Sequence, residues 1–267
     1  MFAKNLFEGQ VVLVTGGRSG IGYAIAKLML QLGARVTIAS RKAEPLEKAA
    51  QALKEWGPCD WKACDIREPD QIQALANQIK SNEGRLDILV NNAGGQFPTL
   101  AEMLPNKGWN AVINNNLNGT FYVTREMATQ FFIPQKSGII VNIIAGILRG
   151  FPGMVHTGAA RAGVENMTKT LAQEWSEFNI RINCVAPGII ESSGLDTYPA
   201  PIQAMFAEAK EAIPLGRFGA VEDVANAVAF LASPLAAYIT GISLYVDGAQ
   251  HLNYDKMGLA KVMKSFL

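Results

Sequence analysis

The turn after the first apolar run carries glycines at a spacing that suits phosphate binding. Residues 11–14 read Val-Val-Leu-Val, and residues 15–22 read Thr-Gly-Gly-Arg-Ser-Gly-Ile-Gly before a helical pattern begins. Glycines between a strand and a helix permit a tight turn and let the helix N-terminus face a pyrophosphate group. A plain structural connection is the alternative for a glycine-rich turn alone. We predict nucleotide binding here. The predicted contacts are Gly16, Arg18, Ser19, Gly20, Ile21 and Gly22.

The end of the second apolar run favours one kind of nucleotide. The chain reads Ala39-Ser40-Arg41-Lys42 there, without the acidic residue that would hydrogen-bond an unphosphorylated ribose. Arg18, Arg41 and Lys42 could make charge-assisted hydrogen bonds to a 2′-phosphate, and a guanidinium group offers paired donors. We predict NADP(H) as the cofactor, with Ser40, Arg41 and Lys42 among its contacts. A solvated surface cation is the alternative, for Lys42 more than for Arg41.

Three residues with reactive side chains, His156, Thr157 and Arg161, are close in sequence near the start of a later helical pattern. Thr157 is not acidic near neutral pH, so its hydroxyl can orient or stabilise an oxygen but is a poor general acid. Arg161 stays charged and is therefore a poor member of a proton relay. A lone histidine such as His156 is more often a structural or wall residue than the acid. Glu165 stands at helical spacing from Arg161 and Lys169, which favours an ion-pair ladder over an acid-base dyad.

Apolar runs rich in β-branched residues alternate with longer helical patterns along the whole chain. This order is typical of strand-helix units, and strands that are apolar almost throughout indicate a parallel sheet covered on both faces. Right-handed crossovers then give a doubly wound, Rossmann-type α/β fold with ligands at the carboxyl ends of the strands. The predicted strands are 11–14, 35–39, 61–64, 86–90, 139–143, 182–186 and 242–246. We expect one domain over residues 1–267, a mostly parallel seven-stranded sheet, and a substrate lid at 187–214.

The composition narrows the expected partners and compartment. The formal net charge is +1, from 24 Lys and Arg against 23 Asp and Glu, which gives no long-range field for nucleic acid or an anionic membrane. No apolar run reaches the roughly 18 residues of a membrane span. Cys59, Cys64 and Cys184 show no metal-ligand spacing, so buried thiols in a reducing compartment are the simplest explanation. We therefore expect a cytoplasmic protein without metal, nucleic-acid or membrane partners.

Several motifs together resemble the short-chain dehydrogenase/reductase family. They are residues 15–22, the run Asn91-Asn92-Ala93-Gly94, Asn116, and Pro187-Gly188, and they are spread over nearly the whole chain. The resemblance implies that Asp65 and Ile66 flank an adenine ring, although a helix cap is the other role open to Asp65. It also implies contacts to the rest of the cofactor. These are Asn92, Ala93, Gly94, Arg161, Pro187, Gly188, Ile190 and, near the carboxamide, Ser192.

The same resemblance reveals an altered catalytic set. The family places a Ser thirteen residues before a Tyr and a Lys four residues after it, and Ile144, Thr157 and Arg161 hold these positions. Asn116 matches the family's catalytic Asn. In the family, the Tyr protonates a carbonyl oxygen while the Lys lowers the pKa of that Tyr and holds the nicotinamide ribose. Arg161 could still hold the ribose, and without a phenol there is less need for a titratable lysine.

Two segments resemble a subgroup that reduces carbon-carbon double bonds, the trans-2-enoyl-CoA and 2,4-dienoyl-CoA reductases. The segments are 91–97 and 155–164, and the peroxisomal-type enoyl reductases resemble them more closely. In such a reaction negative charge develops on a thioester oxygen as an enolate, so oriented donors can suffice. Thr157, Asn118 and the ribose held by Arg161 are the implied donors. Asn118 is equally typical of a helix start that satisfies backbone groups.

The chain departs from this subgroup at several positions. Gly146 occupies the likely place of the tyrosine that dienoyl-CoA reductases carry. Related enoyl reductases can carry a second Tyr-x-x-x-Lys pattern, whose equivalents here are Glu165 and Lys169. Tyr122 and Tyr198 are the candidate replacement phenols.

These features favour an NADPH-dependent reductase of an enoyl thioester, with an acyl thioester or a hydrophobic carbonyl compound as substrate. A short-chain alcohol or 3-oxoacyl dehydrogenase is the enzymatic alternative, and a nucleotide-binding protein with little turnover is the alternative from another class. The helical patterns at 109–132 and 157–178 carry apolar residues over more than one stripe, which suggests a second buried face. We predict a homotetramer through these helices, as is common in the resembling family. Burial within one subunit is the alternative.

Overall fold

Seven parallel strands form the main sheet. A computed structural model describes residues 2–191, 210–211 and 213–252. The strands are β1 (Val11–Thr15), β2 (Arg35–Ser40), β3 (Cys59–Ala63), β4 (Ile88–Asn91), β5 (Gly138–Ile143), β6 (Ile180–Pro187) and β9 (Ser243–Val246), and the shorter β7 (Ile190–Glu191) and β8 (Gly219–Ala220) pair separately. The order in the main sheet is β3-β2-β1-β4-β5-β6-β9. It reverses between β1 and β4, which is where doubly wound sheets bind ligands. This confirms the predicted α/β fold.

Helices cover both faces of the sheet. They are α1 (Gly20–Gln31), α2 (Ala43–Leu53), α3 (Pro69–Glu83), α4 (Asn106–Ile113), α5 (Gly119–Met127), α6 (Ile133–Gln135), α7 (Val155–Glu174) and α8 (Val221–Ala232). Two π-helical turns, Asn114–Asn118 and Ala128–Phe132, join α4, α5 and α6 into one continuous helical path. Such turns are frequent at functional sites. The predicted helical patterns at 109–132 and 157–178 thus coincide with this path and with α7.

The core lies on the two faces of the sheet because every residue of β1 and β4 is buried. On one face, Ile25 and Met29 of α1 pack with Val228 of α8 against the strands. On the other face, Leu75 of α3 and Phe131 of the second π-helical turn contribute to a separate cluster. Burial on both sides explains why the strand sequences are apolar almost throughout.

The strand boundaries differ slightly from those predicted. The strand predicted at 86–90 begins at Ile88, because the backbone N–H of Leu86 donates to the side chain of Gln135 at 3.2 Å and its carbonyl accepts from the same amide at 2.6 Å. The strand predicted at 61–64 begins at Cys59, which pairs with Val36 of β2. Most of the predicted lid, 187–214, lies outside the described residues, as do Ser192 and Tyr198. Within the described part of the chain, no helix is long and apolar enough to cross a membrane.

Candidate active site

A cleft of about 200 Å³ opens at the carboxyl ends of β1, β2 and β4. Its lining consists of Gly16, Arg18, Ser19, Ala39, Ser40, Arg41, Cys64, Ile66, Asn92, Ala93, Gly94 and Asn115. Most of these residues were predicted to bind a cofactor. Sequence reasoning missed Ala39, Cys64 and Asn115. The first two could have been found from the strand register, since Ala39 pairs with Lys62 near the end of β3.

The turn between β1 and α1 has a backbone that requires glycine. Gly16 has a φ of +68°, and its N–H donates to the carbonyl of Ala39 at 2.7 Å. A Cβ atom at Gly22 would lie 2.4 Å from the carbonyl oxygen of Gly16. Ser19 precedes α1 with an extended backbone and makes no capping hydrogen bond through its side chain. The first N–H groups of α1 are thus not capped by Ser19, which fits an anionic group at this position.

Asn92 and Thr15 fix the ends of β1 and β4 to each other. The Asn92 amide donates to the carbonyls of Thr15 and Gly16 at 3.1 and 3.2 Å. In return, the Thr15 hydroxyl oxygen accepts from the backbone N–H groups of Asn92 and Ala93, each at 3.0 Å. The floor of the cleft is therefore built from paired polar groups and keeps one shape.

The charge of the cleft is positive. Arg18 and Arg41 line it, and no acidic side chain is among the lining residues. Asp65, at the end of the neighbouring segment, accepts from the guanidinium Nε of Arg67 at 2.9 Å, and this bond holds the pKa of Asp65 below its usual range. Lys42 is exposed and lies outside the lining. The glycine turn, the free helix start and the two arginines fit a phosphorylated dinucleotide, and the pyrophosphate would lie at the glycine turn.

Thr157 and Arg161 lie one helical turn apart on α7, and both are buried, with 0% and 8% of their surface exposed. A Cβ atom at Gly94 would lie 2.3 Å from the Nη2 atom of Arg161, so the guanidinium group rests directly on the Gly94 backbone. Burial lowers the pKa of Arg161 to about 10, which leaves it charged at neutral pH. Within the described residues, no carboxylate forms a salt bridge with it.

The predicted ion-pair ladder on α7 is only half formed. The ammonium group of Lys169 bonds the Glu165 carboxylate at 2.9 Å, as the helical spacing indicated. The other step, from Glu165 to Arg161, is absent from the described salt bridges. Arg161 instead extends toward the cleft and contacts Gly94. A buried cation without a carboxylate partner is costly. A bound group with oxygen acceptors would offset that cost.

The π-helical turn Asn114–Asn118 carries two of the predicted catalytic residues. The side chain of Asn116 is fully buried, its Oδ1 accepts from the Gly95 N–H at 2.9 Å, and its Nδ2 donates to the Gly95 carbonyl at 3.0 Å. Asn116 thus clamps the loop after β4. The amide of Asn118 donates to Oδ1 of Asn114 at 2.7 Å, and Asn118 is not among the cleft lining. Its partner is another side chain, not the backbone groups of a helix start.

The other candidate positions differ in their surroundings. A Cβ atom at Gly146 would meet only the Pro187 carbonyl, at 3.9 Å, so there is room for a side chain. Tyr122 packs against the core cluster that contains Leu75 and Phe131, its ring lies near that of Phe121, and it is not among the residues that line the cleft. The backbone N–H of Gly188, just after β6, donates to the Val246 carbonyl at 3.0 Å, while Ile190 is buried. Neither lines the cleft.

A buried polar chain anchors α7 to the sheet. Asn142 of β5 donates to the Thr168 hydroxyl at 2.9 Å and accepts from the Asn91 amide at 2.9 Å. Asn91 also donates to the Thr124 hydroxyl at 2.8 Å. Cys184 adds a bond of 3.2 Å from its Sγ to Thr168, and burial raises the pKa of this thiol to about 11. This series of hydrogen bonds fixes the position of α7 against the sheet. Cys59, Cys64 and Cys184 are all buried and unpaired, as the sequence predicted.

Comparison with known proteins gives consistent matches over almost the whole chain. A family model described as enoyl-(acyl carrier protein) reductase matches residues 16–251. The chain is 38% identical over 249 residues to a probable 2,4-dienoyl-CoA reductase of Bacillus subtilis (strain 168), covering 92% of this chain and 98% of the relative. It is 41% identical over 246 residues to the 3-oxoacyl-[acyl-carrier-protein] reductase FabG of Thermotoga maritima, covering 90% and 97%. A solved structure, the citronellol catabolism dehydrogenase AtuB of Pseudomonas aeruginosa PAO1, is similar with a TM-score of 0.84 and 42% identity, covering 94% and 98%.

Proposed function

Since the chain belongs to the short-chain dehydrogenase/reductase family of oxidoreductases, we propose that it is an NADPH-dependent reductase of the carbon-carbon double bond of a 2-enoyl thioester. The observation that carries the proposal is the composition of the inner face of α7. Thr157 and Arg161 are buried there one turn apart, and Arg161 rests on the cleft residue Gly94. Relatives named 2,4-dienoyl-CoA reductases support an acyl thioester as the substrate.

The cofactor contacts follow from the cleft. Arg18, Ser40 and Arg41 would hold the 2′-phosphate of NADPH, with Lys42 at its outer edge, and Ile66 would lie beside the adenine next to Asp65. Bound NADPH supplies a hydride. Arg161 would bind the hydroxyls of the nicotinamide ribose, which gives its buried charge the oxygen acceptors it lacks among the described residues.

The threonine at position 157, where the family has a tyrosine, favours the double bond over a ketone. When a hydride reaches the β-carbon of an enoyl thioester, the negative charge is spread into the thioester as an enolate, and hydrogen-bond donors stabilise it. When a hydride reaches a ketone, the charge stays on one oxygen that must be protonated, and a general acid is then needed. The hydroxyl of Thr157 is not acidic enough for that task. At positions 157 and 161, α7 offers a hydroxyl and a guanidinium group and no phenol.

The test follows NADPH absorbance with purified protein and two substrates of the same chain length, a trans-2-enoyl-CoA and a 3-oxoacyl-CoA. NADPH oxidation with the enoyl thioester, and slower oxidation of NADH, is the expected result. Oxidation with the ketone alone would overturn the proposal. The matched control variant is Lys169→Met, because Lys169 pairs with Glu165 on the exposed side of α7 and its loss should leave both rates unchanged.

Reduction of a 3-oxoacyl thioester is the second candidate function. The observation in its favour is the 41% identity with the Thermotoga maritima 3-oxoacyl-[acyl-carrier-protein] reductase. Activity with the ketone alone would select it. Tight NADPH binding without oxidation of either substrate would instead select a nucleotide-binding protein with little turnover.

We also propose that the protein is a homotetramer in the cytoplasm. The helices predicted to assemble are α7 and the continuous path from α4 to α6. Light scattering on the purified protein measures the assembly, and a mass of one subunit, 28.8 kDa, would contradict it. Fluorescence microscopy of the tagged full chain tests the compartment, since some relatives are named as peroxisomal.

A further inference from the structure

His156 has a fully buried side chain next to the reacting face of α7. Its Nδ1 atom accepts the backbone N–H of Thr157 at 2.8 Å and lies 3.3 Å from the Thr157 hydroxyl oxygen. A nitrogen that accepts from an N–H group carries no proton of its own. An imidazole with Nδ1 occupied in this way has its proton on Nε2.

The Nε2 atom of His156 is buried and has no hydrogen-bond partner among the described residues. A buried donor without an acceptor is rare in folded proteins, because its lost hydration is not replaced. Nδ1 faces the first turn of α7, so Nε2, on the opposite side of the ring, faces away from that turn. A bound molecule with an oxygen acceptor would satisfy it.

The ring of Phe97 covers this imidazole. The two ring centroids are 4.6 Å apart and the planes are nearly perpendicular, at 79°. Phe97 belongs to the loop after β4, whose Gly94 contacts Arg161 and whose Gly95 is clamped by Asn116. It is 37% exposed, so it stands between His156 and the surface of the molecule. His156 and Arg161 thus both meet the loop after β4, whose Gly94 lines the cleft.

We propose that His156 donates a hydrogen bond from Nε2 to the thioester carbonyl oxygen of the substrate and so stabilises the enolate. The inference rests on the proposed function. It assigns the donor role to the imidazole because Nε2 is buried without a partner among the described residues, whereas the Thr157 hydroxyl already lies 3.3 Å from Nδ1. The thioester enters beside Phe97, whose ring moves off the imidazole as the oxygen arrives. The backbone N–H of Thr157 holds the imidazole in one tautomer.

Two substitutions of His156 test the two nitrogen atoms of the imidazole independently. His156→Asn keeps an acceptor near the position of Nδ1 and removes the donor at Nε2, whereas His156→Gln keeps a donor near Nε2 and loses the acceptor at Nδ1. We expect His156→Asn to lower kcat for the enoyl thioester by about 100-fold, the usual effect of losing one oxyanion donor, and His156→Gln to lower it by less than about tenfold. NADPH affinity, measured by fluorescence, should change in neither. The reverse order of the two variants would make His156 a structural residue and overturn the inference.

A binding measurement tests the same bond without turnover. The sequence has two histidines, so ¹⁵N-histidine labelling gives a spectrum with few signals, and His251, which bonds Asp247 at 2.7 Å, serves as the internal reference. Addition of butyryl-CoA and NADP⁺ should shift the Nε2 signal of His156 and leave His251 in place. An unchanged His156 signal would indicate that another acceptor, such as a buried water, satisfies Nε2, and would overturn the inference.

The two proposals fail in different ways. A wild-type protein that reduces neither the enoyl nor the 3-oxoacyl thioester overturns the proposed function and the catalytic role of His156 with it. A wild-type protein that reduces the enoyl thioester while His156→Asn is equally fast overturns only the role of His156.

Discussion

The glycine turn before α1 and the first turns of α7 build two halves of one site by different means. In the glycine turn the backbone itself sets the shape, since Gly22 leaves no room for a Cβ atom and Asn92 bonds the carbonyls of Thr15 and Gly16. In α7 the backbone is an ordinary helix, and the chemistry depends on the side chains of His156, Thr157 and Arg161. The first half can hardly vary, whereas the second can change its reaction by substitution.

The anchor of α7 explains how this variation is tolerated. Thr168, about three turns beyond Thr157, is tied to β5 through Asn142, and Asn142 is tied to β4 through Asn91. This buried chain fixes the helix independently of the residues at its start. A phenol can therefore be lost from the reacting end without a change in where the helix lies. We expect substitutions at the start of α7 to alter turnover, and substitutions in the glycine turn to alter NADPH affinity.

Replacement of Arg161, the buried cation, should lower activity strongly without lowering stability. Arg161→Met removes the group that would hold the ribose, and we expect kcat/KM for the enoyl thioester to fall by about 100-fold or more. The free energy of unfolding should stay within about 1 kcal/mol or rise, because a buried charge without a carboxylate partner is replaced by an apolar side chain. Steady-state kinetics and urea unfolding measure the two effects.

Arg181 is the matched control for that experiment. It is a half-buried arginine whose guanidinium donates to the carbonyls of Leu231 and Ile239 at 2.8 and 3.3 Å, remote from the cleft lining. Arg181→Met should lower stability by about 1–3 kcal/mol, since it removes these bonds, and leave kcat/KM unchanged. Equal loss of stability in both variants would contradict the difference drawn between the two arginines.

In the glycine turn, Gly22→Ala should act through the cofactor. The added methyl carbon would lie 2.4 Å from the Gly16 carbonyl oxygen and 2.4 Å from the Asn92 amide nitrogen, so the turn must open. A shift of this size costs about 2 kcal/mol, and we expect the NADPH dissociation constant to rise by about 30-fold. Fluorescence titration measures it. Gly84→Ala is the control, because its φ of +71° strains the backbone in open space, and it should lower stability without changing NADPH affinity.

The sequence predicts the local parts of this site and misses the tertiary ones. The glycine turn is contained in eight consecutive residues, so its role follows from their order alone. The contact between Arg161 and Gly94 depends on how α7 lies against the loop after β4, which no local pattern contains. Helical spacing predicted that Glu165 lies near both Arg161 and Lys169. The Glu165 carboxylate pairs with Lys169, whereas the long side chain of Arg161 extends toward the cleft. The clamp of Asn116 on Gly95 depends on the same tertiary approach.

Loss of a positive charge at the mouth of the cleft should reduce the preference for NADPH over NADH, by less than the changes predicted above. Arg41→Gln removes one exposed guanidinium from the proposed 2′-phosphate site, and we expect NADPH affinity to fall by about tenfold while NADH affinity is unchanged, because an exposed ion pair is weakened by solvent. Lys42→Gln should change NADPH affinity less, since Lys42 lies outside the cleft lining. An equal effect on NADH in the Arg41 variant would mean that Arg41 contacts a part of the cofactor that both share.

The smallest change is expected where a phenol is put back. A general acid contributes about 10²–10⁴-fold where proton transfer to oxygen limits the reaction, so a site that lacked an acid it needs would gain strongly from one. Thr157→Tyr tests the position of the family's tyrosine, and Gly146→Tyr tests one with open space, where a Cβ atom meets only the Pro187 carbonyl at 3.9 Å.

We expect reduction of the enoyl thioester to change by less than about threefold in the Gly146 variant, because enolate stabilisation by donors needs no acid on oxygen. Thr157 is fully buried, so the larger ring should lower that rate in the Thr157 variant. Any gain should appear with the 3-oxoacyl thioester. A rise of more than about tenfold with the enoyl substrate in either variant would mean that the site is damaged and lacks an acid that its reaction needs, since only then does the missing proton limit turnover.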